Sequence, residues 1–259
     1  MSMFTADEVY DALPAGIARR LDIRTAGVTG STNDDIKALA GQEAPEGTVI
    51  IAGAQTAGKG RLGRSFYSPA DTGLYMSILL RPRFGAADSL AITTMAAAAV
   101  AEACDAFLNG TSAGIKWVND IYVNGRKVCG ILTESSLAQD GSVKYAVLGI
   151  GINAAAAEFP EDIREKAGTL GCGAEIRPLL AAKVLERFFA YFDELPGRSY
   201  IAEYRRRSVL TGKTIEYEAD GASHTAEVVG IDDEARLIVR NTDGKISYLA
   251  SGEVSIGKF

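Results

Sequence analysis

Hydrophobic positions switch between two periods along the chain, and the switches mark its elements. Thr5 and Glu8 have the spacing of a capping box and predict a helix reaching about Arg20. Residues 21–28 then read as a strand. At Ser31-Thr32-Asn33-Asp34, hydroxyls precede acidic groups, the pattern of a helix N-terminus, with a run to Ala40. Residues 48–54 (TVIIAGA) are continuously apolar and β-branched, which predicts a buried strand. Residues 74–80 predict another, and the alanine-rich run 89–108 predicts a helix packed closely on a sheet. Three strands follow near 114–123, 127–137 and 143–151, joined by hairpin turns at Asn124-Gly125 and Asp140-Gly141. Residues 154–175 read as loop. Residues 176–195 form an amphipathic helix ended by Pro196-Gly197, with Phe188, Phe189, Tyr191 and Phe192 in the core rather than in a cofactor site.

The texture changes after Arg207. Short alternating strands, broken at Asp220-Gly221 and Asp243-Gly244, predict a small all-β barrel of about 50 residues. The boundary falls near 208–212, giving an expected main domain over 1–208 and a C-terminal one over 209–259. Hairpins mixed with helices make the main domain α+β with a mixed sheet, not a parallel βαβ array.

Composition narrows the function classes. The 259 residues are 47% hydrophobic and 23% charged, too apolar for a disordered chain. The net charge of -6 argues against a nucleic-acid binder. The triplet Arg205-Arg206-Arg207 reads as a solvated helix end, where cations suit the dipole. His224, the only histidine, reads as an exposed strand residue and excludes His-cluster metal sites. Cys104, Cys129 and Cys172 form no CxxC pair, which speaks against structural zinc and for reduced thiols. The most apolar stretch, 89–101, lies between Asp88 and Glu102 and falls short of the roughly 20 residues that span a bilayer. With no signal peptide in MSMFTADEVYDAL, a cytoplasmic protein free of membrane contact is expected.

The chemistry concentrates in residues 53–64, GAQTAGKGRLGR. Glycines at 53, 58, 60 and 63 let backbone N–H groups approach a ligand. Lys59, Arg61 and Arg64 repel one another unless an anion, a phosphate or a carboxylate, joins them. Gly53-x4-Gly58-Lys59 comes close to the P-loop, but Gly60 stands where the magnesium-binding hydroxyl belongs. Gly58-x-Gly60-x-x-Gly63 and Gly149-x-Gly151-x-x-Ala154 fit the dinucleotide pattern, yet neither has the acidic residue that should follow. A solvated basic turn is the remaining plain reading.

Other segments decide between these. Ser31-Thr32-Asn33, Gln55-x-x-Gly-Lys-Gly-Arg-x-Gly-Arg64, Lys116-Trp117-x-Asn119-Asp120, Arg126-Lys127-x-x-Gly130-Ile131-Leu132-x-Glu134 and Gly149-x-Gly151-Ile152-Asn153 occur in that order. Together they resemble the biotin protein ligase family. Gly230-Ile231-Asp232 and Ser251-Gly252-Glu253-Val254 are similar to that family's small SH3-like domain. The resemblance covers roughly residues 20–256. It implies an α+β catalytic domain followed by an SH3-like β-barrel. It also implies a two-step reaction: biotin and ATP, with magnesium, give biotinyl-5′-AMP and pyrophosphate, and a lysine of a biotin carboxyl carrier domain then takes the biotin. Only about 20 residues precede the resemblance, so the form lacking the family's N-terminal DNA-binding domain is expected. Family members occur as monomers or homodimers. Lipoate–protein ligase, which shares the catalytic fold, and a non-catalytic biotin sensor are the alternatives. The segment RKxxGIL and the C-terminal barrel favour biotin, and the intact Arg61, Lys127 and Asp120 favour catalysis.

The site residues follow by position. Arg61 matches the family's adenylate-holding arginine; with Lys59, it is expected to order the loop over carboxylate and phosphate. Lys59 replaces an arginine common in the family and loses its bidentate fork. Lys127 matches a lysine set beside the biotin carboxylate and the α-phosphate. Asp120 has three readings: magnesium stabiliser, acceptor of the substrate lysine's proton, or Asx-turn. Ser31, Thr32, Asn33 and Gln55 suit the ureido ring of biotin, while Ser31 and Thr32 also suit a helix cap. Gly60 belongs to the biotin-binding loop, and Gly130 and Gly149 let the ligand lie flat. Asn153 matches an asparagine near the nucleotide or ends a strand. Phe66 stands where tryptophan is frequent and is an aromatic wall. Trp117 reads as core.

Overall fold

The computed structural model describes residues 4–82, 89–139, 142–155, 158–219 and 221–256. Thr5 caps the first helix α1 (Ala6–Asp11) with both bonds of the capping box. The helix expected to reach Arg20 is instead two short ones, because Pro14 separates α1 from α2 (Ala15–Ala18). Strand β1 (Asp22–Thr29), helix α3 (Thr32–Gly41) and strand β2 (Thr48–Gln55) follow, with β1 and β2 parallel. After the basic loop come β3 (Gly73–Leu80) and α4 (Ser89–Asp105). The span 114–123 is two strands, β4 (Gly114–Lys116) and β5 (Asp120–Val123), because the chain reverses over Trp117–Asn119. Apolar Trp117 and Val118 hid that turn. Asn124 and Gly125, both at positive φ, make the expected hairpin to β6 (Arg126–Leu137). The second expected turn, Asp140-Gly141, lies outside the described residues; β7 (Val143–Asn153) follows it. Helices α5 (Arg177–Asp193) and α6 (Ile201–Arg206) complete this part.

The strands form one mixed seven-stranded sheet in the order β1-β2-β3-β7-β6-β5-β4. Its two faces differ because side chains alternate along each strand. Leu74, Met76, Ile78 and Leu80 of β3, with Leu148, Ile150 and Ile152 of β7, pack under α4 and α5. Alanines 96–99 and Ala101 of α4 are fully buried, so helix and sheet approach closely. Phe188 and Phe189 of α5 are buried, as the aromatic pattern predicts; Phe192 stacks on Phe188 and meets Phe189 edge-on. Of the other face, only part is covered by α3, through Ile36 and Ala40 over Ile50, Leu79 and Val147. Beyond α3 that face carries Tyr75, Ser77, Gly130, Gly149 and Gly151. The register sets Ser77 opposite Gly149, Tyr75 opposite Gly151, and Gly130 opposite Gly151. Four short or small side chains in adjacent positions leave a recess.

The C-terminal strands β8 (Thr214–Ala219), β9 (Ala222–Ile231), β10 (Leu237–Asn241), β11 (Ile246–Leu249) and β12 (Val254–Ile256) form a separate antiparallel sheet in the order β11-β10-β9-β8-β12. The all-β character is as expected. Barrel closure is not: among the described residues, no pairing joins β11 to β12. His224 is exposed and stacks on Tyr217. Trp117 is buried and donates its indole N–H to Ala235 O, tying this sheet to the main one.

The arginine triplet departs from the solvated reading at one position. Arg207 is buried; its guanidinium reaches Glu203, the Ala113 carbonyl and Asp105. A charge there needs such partners, since an unpaired buried cation costs several kcal/mol. Burial pushes the Cys104 thiol up to about 12, and Cys129 is also well above its ordinary range, so both are inert core groups. Among the described residues, no helix is long and apolar enough to cross a membrane.

Candidate active site

The recess is closed on one side by the first turn of α3 and on another by the basic loop. Ser31, Thr32 and Asn33 lie at the helix start, where backbone N–H groups are free of helical partners. Ser31 does not cap the helix with its side chain; its carbonyl accepts from Asp34 and Asp35 instead. Thr32 bonds Gln55 at the end of β2, through its backbone N–H (2.9 Å) and its hydroxyl (3.1 Å) to Oε1. Gln55 Nε2 donates to Ser68 Oγ at 2.9 Å. Asn33 Oδ1 accepts from Ser77 Oγ at 2.6 Å, and its Nδ2 donates to Glu134 Oε2 at 2.8 Å. All these groups are neutral on the cavity side, which makes this end polar but uncharged.

Glycine is required at two positions here. A Cβ on Gly58 would stand 2.5 Å from the Phe66 carbonyl and 2.7 Å from Ser68 Oγ. A Cβ on Gly149 would overlap Asn33 Oδ1, which cannot swing away because Ser77 and Glu134 hold its amide. Gly149→Ala is therefore expected to displace the Asn33 amide and to cost about 1–3 kcal/mol of stability, measured by denaturant unfolding; unchanged stability would show that Asn33 moves at little cost.

The other end is cationic. The chain turns through Arg61–Gly63, with Leu62 and Gly63 at positive φ and Leu62 74% exposed at the tip. Lys59 pairs with Asp34 of α3, and that hydrogen bond holds its ammonium above the usual range. Arg61 donates to Asn119 Oδ1 at 2.9 Å and to the Gly252 carbonyl at 3.1 Å. Arg64 pairs with Glu253 at 2.5 Å. Lys127, on β6 just beyond the hairpin, reaches across to β5, where its Nζ lies 2.7 Å from Asp120 Oδ1. That contact has no hydrogen-bond alignment, and Asp120 Oδ1 is otherwise a buried oxygen without a partner. Phe66 stands between the two ends; its ring lies over Gly130 and Gly151 and meets Tyr75 edge-on. A Cβ on Gly151 would overlap that ring at 2.5 Å and force it to shift.

The fold thus gathers Ser31, Thr32, Asn33, Gln55, Lys59, Gly60, Arg61, Phe66, Asp120, Lys127 and Gly130 around one cavity. Asn153 is not among its walls. Its Nδ2 is spent on the Gly168 carbonyl at 3.0 Å, and it lines an adjoining cleft with Lys127, Asp120 and Phe66. Sequence reasoning counted Arg64 only among the loop cations and assigned no role to Asn119, Ser77, Gly151 or Glu253, although all of these but Ser77 lie in quoted motifs. Glu253 reaches the cavity from 189 residues beyond Arg64, a proximity no local pattern encodes. Lys116 also lines the adjoining cleft, and burial lowers its ammonium below the usual range. Glu134 sits behind the cavity. Burial alone would raise its carboxyl, but hydrogen bonds from Lys37 and Asn33 outweigh that and hold it low.

Known proteins resemble this chain in sequence and fold. Residues 26–153 match the Biotin/lipoate A/B protein ligase family. The biotin–[acetyl-CoA-carboxylase] ligase of Mycobacterium tuberculosis is 32% identical over 255 residues, covering 91% of this chain and 88% of that protein. The bifunctional ligase/repressor BirA of Bacillus spizizenii is 31% identical over 240 residues, covering 89% of this chain and 72% of that protein. The biotin protein ligase of Aquifex aeolicus, solved with biotin and ATP, superposes with a TM-score of 0.76 at 27% identity, over 92% of this chain and 99% of that one. This chain belongs to the biotin/lipoate A/B protein ligase family and, within it, to the biotin protein ligases.

Proposed function

We propose that this ligase activates biotin with ATP in the cavity beside α3 and passes it to a lysine of a biotin carboxyl carrier domain. One observation carries the reading: the cavity has a neutral polar end and a cationic end, separated by a flat floor of glycines and an aromatic wall. Biotin has the matching form, with a ureido ring at one end and a carboxylate at the other. Thr32, Asn33 and Gln55 take the ring; Gly149 admits the Asn33 amide against the sheet, and Gly130 and Gly151 admit the Phe66 ring that walls the cavity.

The first step joins two anions. A biotin carboxylate oxygen attacks the α-phosphorus of ATP, the bond to the β-phosphate oxygen breaks, and pyrophosphate leaves. Charge grows on the α-phosphate oxygens, so fixed cations contribute most of the rate. Lys127 and Arg61 occupy the cationic end for that purpose, and Lys59 and Arg64 hold the loop to α3 and to Glu253. Among the described residues, no group of three or more His, Cys, Asp or Glu side chains is placed to hold a metal ion. Magnesium would come with the ATP phosphates and neutralise charge there, and Asp120, a carboxylate of the cavity wall already paired with Lys127 at 2.7 Å, would meet the ion or its bound water. In the second step, the carrier lysine's amine attacks the anhydride carbonyl and AMP departs. Asp120, which lines the cavity beside Lys127, takes the proton that amine must lose.

The test is direct. The protein, ATP, magnesium and biotin are mixed with an apo biotin carboxyl carrier domain, and the carrier is weighed intact. Addition of one biotin is expected on the unmodified carrier and none on a carrier whose acceptor lysine is arginine. Adenylate formation without transfer would contradict the second step alone.

A further inference from the structure

Behind the polar end of the cavity runs a chain of hydrogen bonds whose two ends cannot reverse. At one end, the backbone N–H of Thr32 can only donate, and it holds Gln55 with Oε1 facing α3. The Thr32 hydroxyl proton is committed to the same oxygen. At the other end, Glu134 is a carboxylate and can only accept. It takes Asn33 Nδ2 at 2.8 Å on one oxygen and Lys37 Nζ at 2.6 Å on the other. Between these ends stands Ser77, fully buried, with Oγ 2.7 Å from Thr32 Oγ1 and 2.6 Å from Asn33 Oδ1. Ser77 has one proton for two acceptors. The chain is short of a donor, and one acceptor lone pair on Thr32 or Asn33 remains open where both residues line the cavity.

We propose that Glu134, which does not itself line the cavity, is a positioning residue that fixes the amide of Asn33 with its oxygen forward, so that this end of the site accepts a hydrogen bond from an N–H of the ligand. The inference rests on the biotin reading above, in which that N–H belongs to the ureido ring. It explains why a charged side chain stands behind a neutral recess. An amide in its place, able to donate as well as accept, would let Asn33 turn over. Asn33 Nδ2 would then donate to Ser77, and the open acceptor would be lost.

The experiment compares three ligands by calorimetry: biotin and the two cyclic carbamates in which one ureido N–H is replaced by oxygen. The unmodified protein is expected to prefer biotin about tenfold over the carbamate lacking the N–H that faces Asn33, the value of one hydrogen bond. Glu134→Gln is expected to weaken biotin about tenfold while leaving that carbamate within about twofold. In steady state, the same variant is expected to raise KM for biotin with kcat retained, a split that a general loss of structure would not give. Lys37→Met removes the ion pair but keeps the bond to Asn33, so it is expected to bind biotin like the unmodified protein. Three results would overturn the inference: Glu134→Gln weakening all ligands alike, Glu134→Gln leaving biotin unaffected, or Lys37→Met reproducing the loss. An unmodified protein that binds none of the three ligands would overturn the proposed function, and this inference with it.

Discussion

Replacing Lys127 with alanine is expected to lower biotin-dependent pyrophosphate exchange by about 10²- to 10³-fold, the usual loss of one donor aimed at developing charge. The expectation follows from how the side chain is held. The Asn124-Gly125 turn and the register break in β5 near Ile121 bring Lys127 across the hairpin to Asp120. Its aliphatic stem runs beside Gly130, where a Cβ would stand 3.4 Å from Lys127 Cε and Nζ. The ammonium therefore needs no reorganisation to meet a phosphate. Biotin binding should suffer far less than exchange, because the neutral end proposed for the ureido ring is the other end of the cavity. Wild-type exchange by Lys127→Ala would remove this residue from the reaction.

Arg61→Gly is expected to act on retention of the intermediate. Arg61 is the stitch between the loop, the β4–β5 turn through Asn119, and the C-terminal segment through Gly252. Without it, the loop loses two hydrogen bonds from a charged donor, each worth about 1.5–3 kcal/mol. Biotinyl-5′-AMP should then leave at least tenfold faster, and more of it should appear free in solution before hydrolysis. Chromatography of quenched reactions, with and without carrier, measures this. Retention equal to that of the unmodified protein would show that the stitch does not govern release.

What the sequence made legible and what it hid differ in kind. The strands, α4 and α5 were visible because each buries a face with its own period, and Thr5-Glu8 marks its own helix start. The cavity-lining residues were largely visible too. Thr32, Gln55, Arg61 and Lys127 sit at element ends, where turn chemistry and charge are out of place for a plain core. Hidden were the features made by tertiary contact. Ser77 is one small residue in an apolar strand, and only the register against Gly149 gives it a role. Arg207 looked solvated within a basic triplet, yet Asp105, 102 residues away, makes it a buried ion pair. The approach of Gly252 and Glu253 to the basic loop depends on how the C-terminal sheet docks, which alternation alone does not specify. Closure of that sheet was expected both from the alternating strands and from the family likeness, and the described pairings leave it open.

The central claim is that one cavity holds a ureido ring at its neutral end and activates a carboxylate at its cationic end. Pyrophosphate–ATP exchange with magnesium, run with biotin, with lipoate and with neither, tests it most directly. The account predicts exchange with biotin alone. Exchange with lipoate, or with no acid at all, would contradict it.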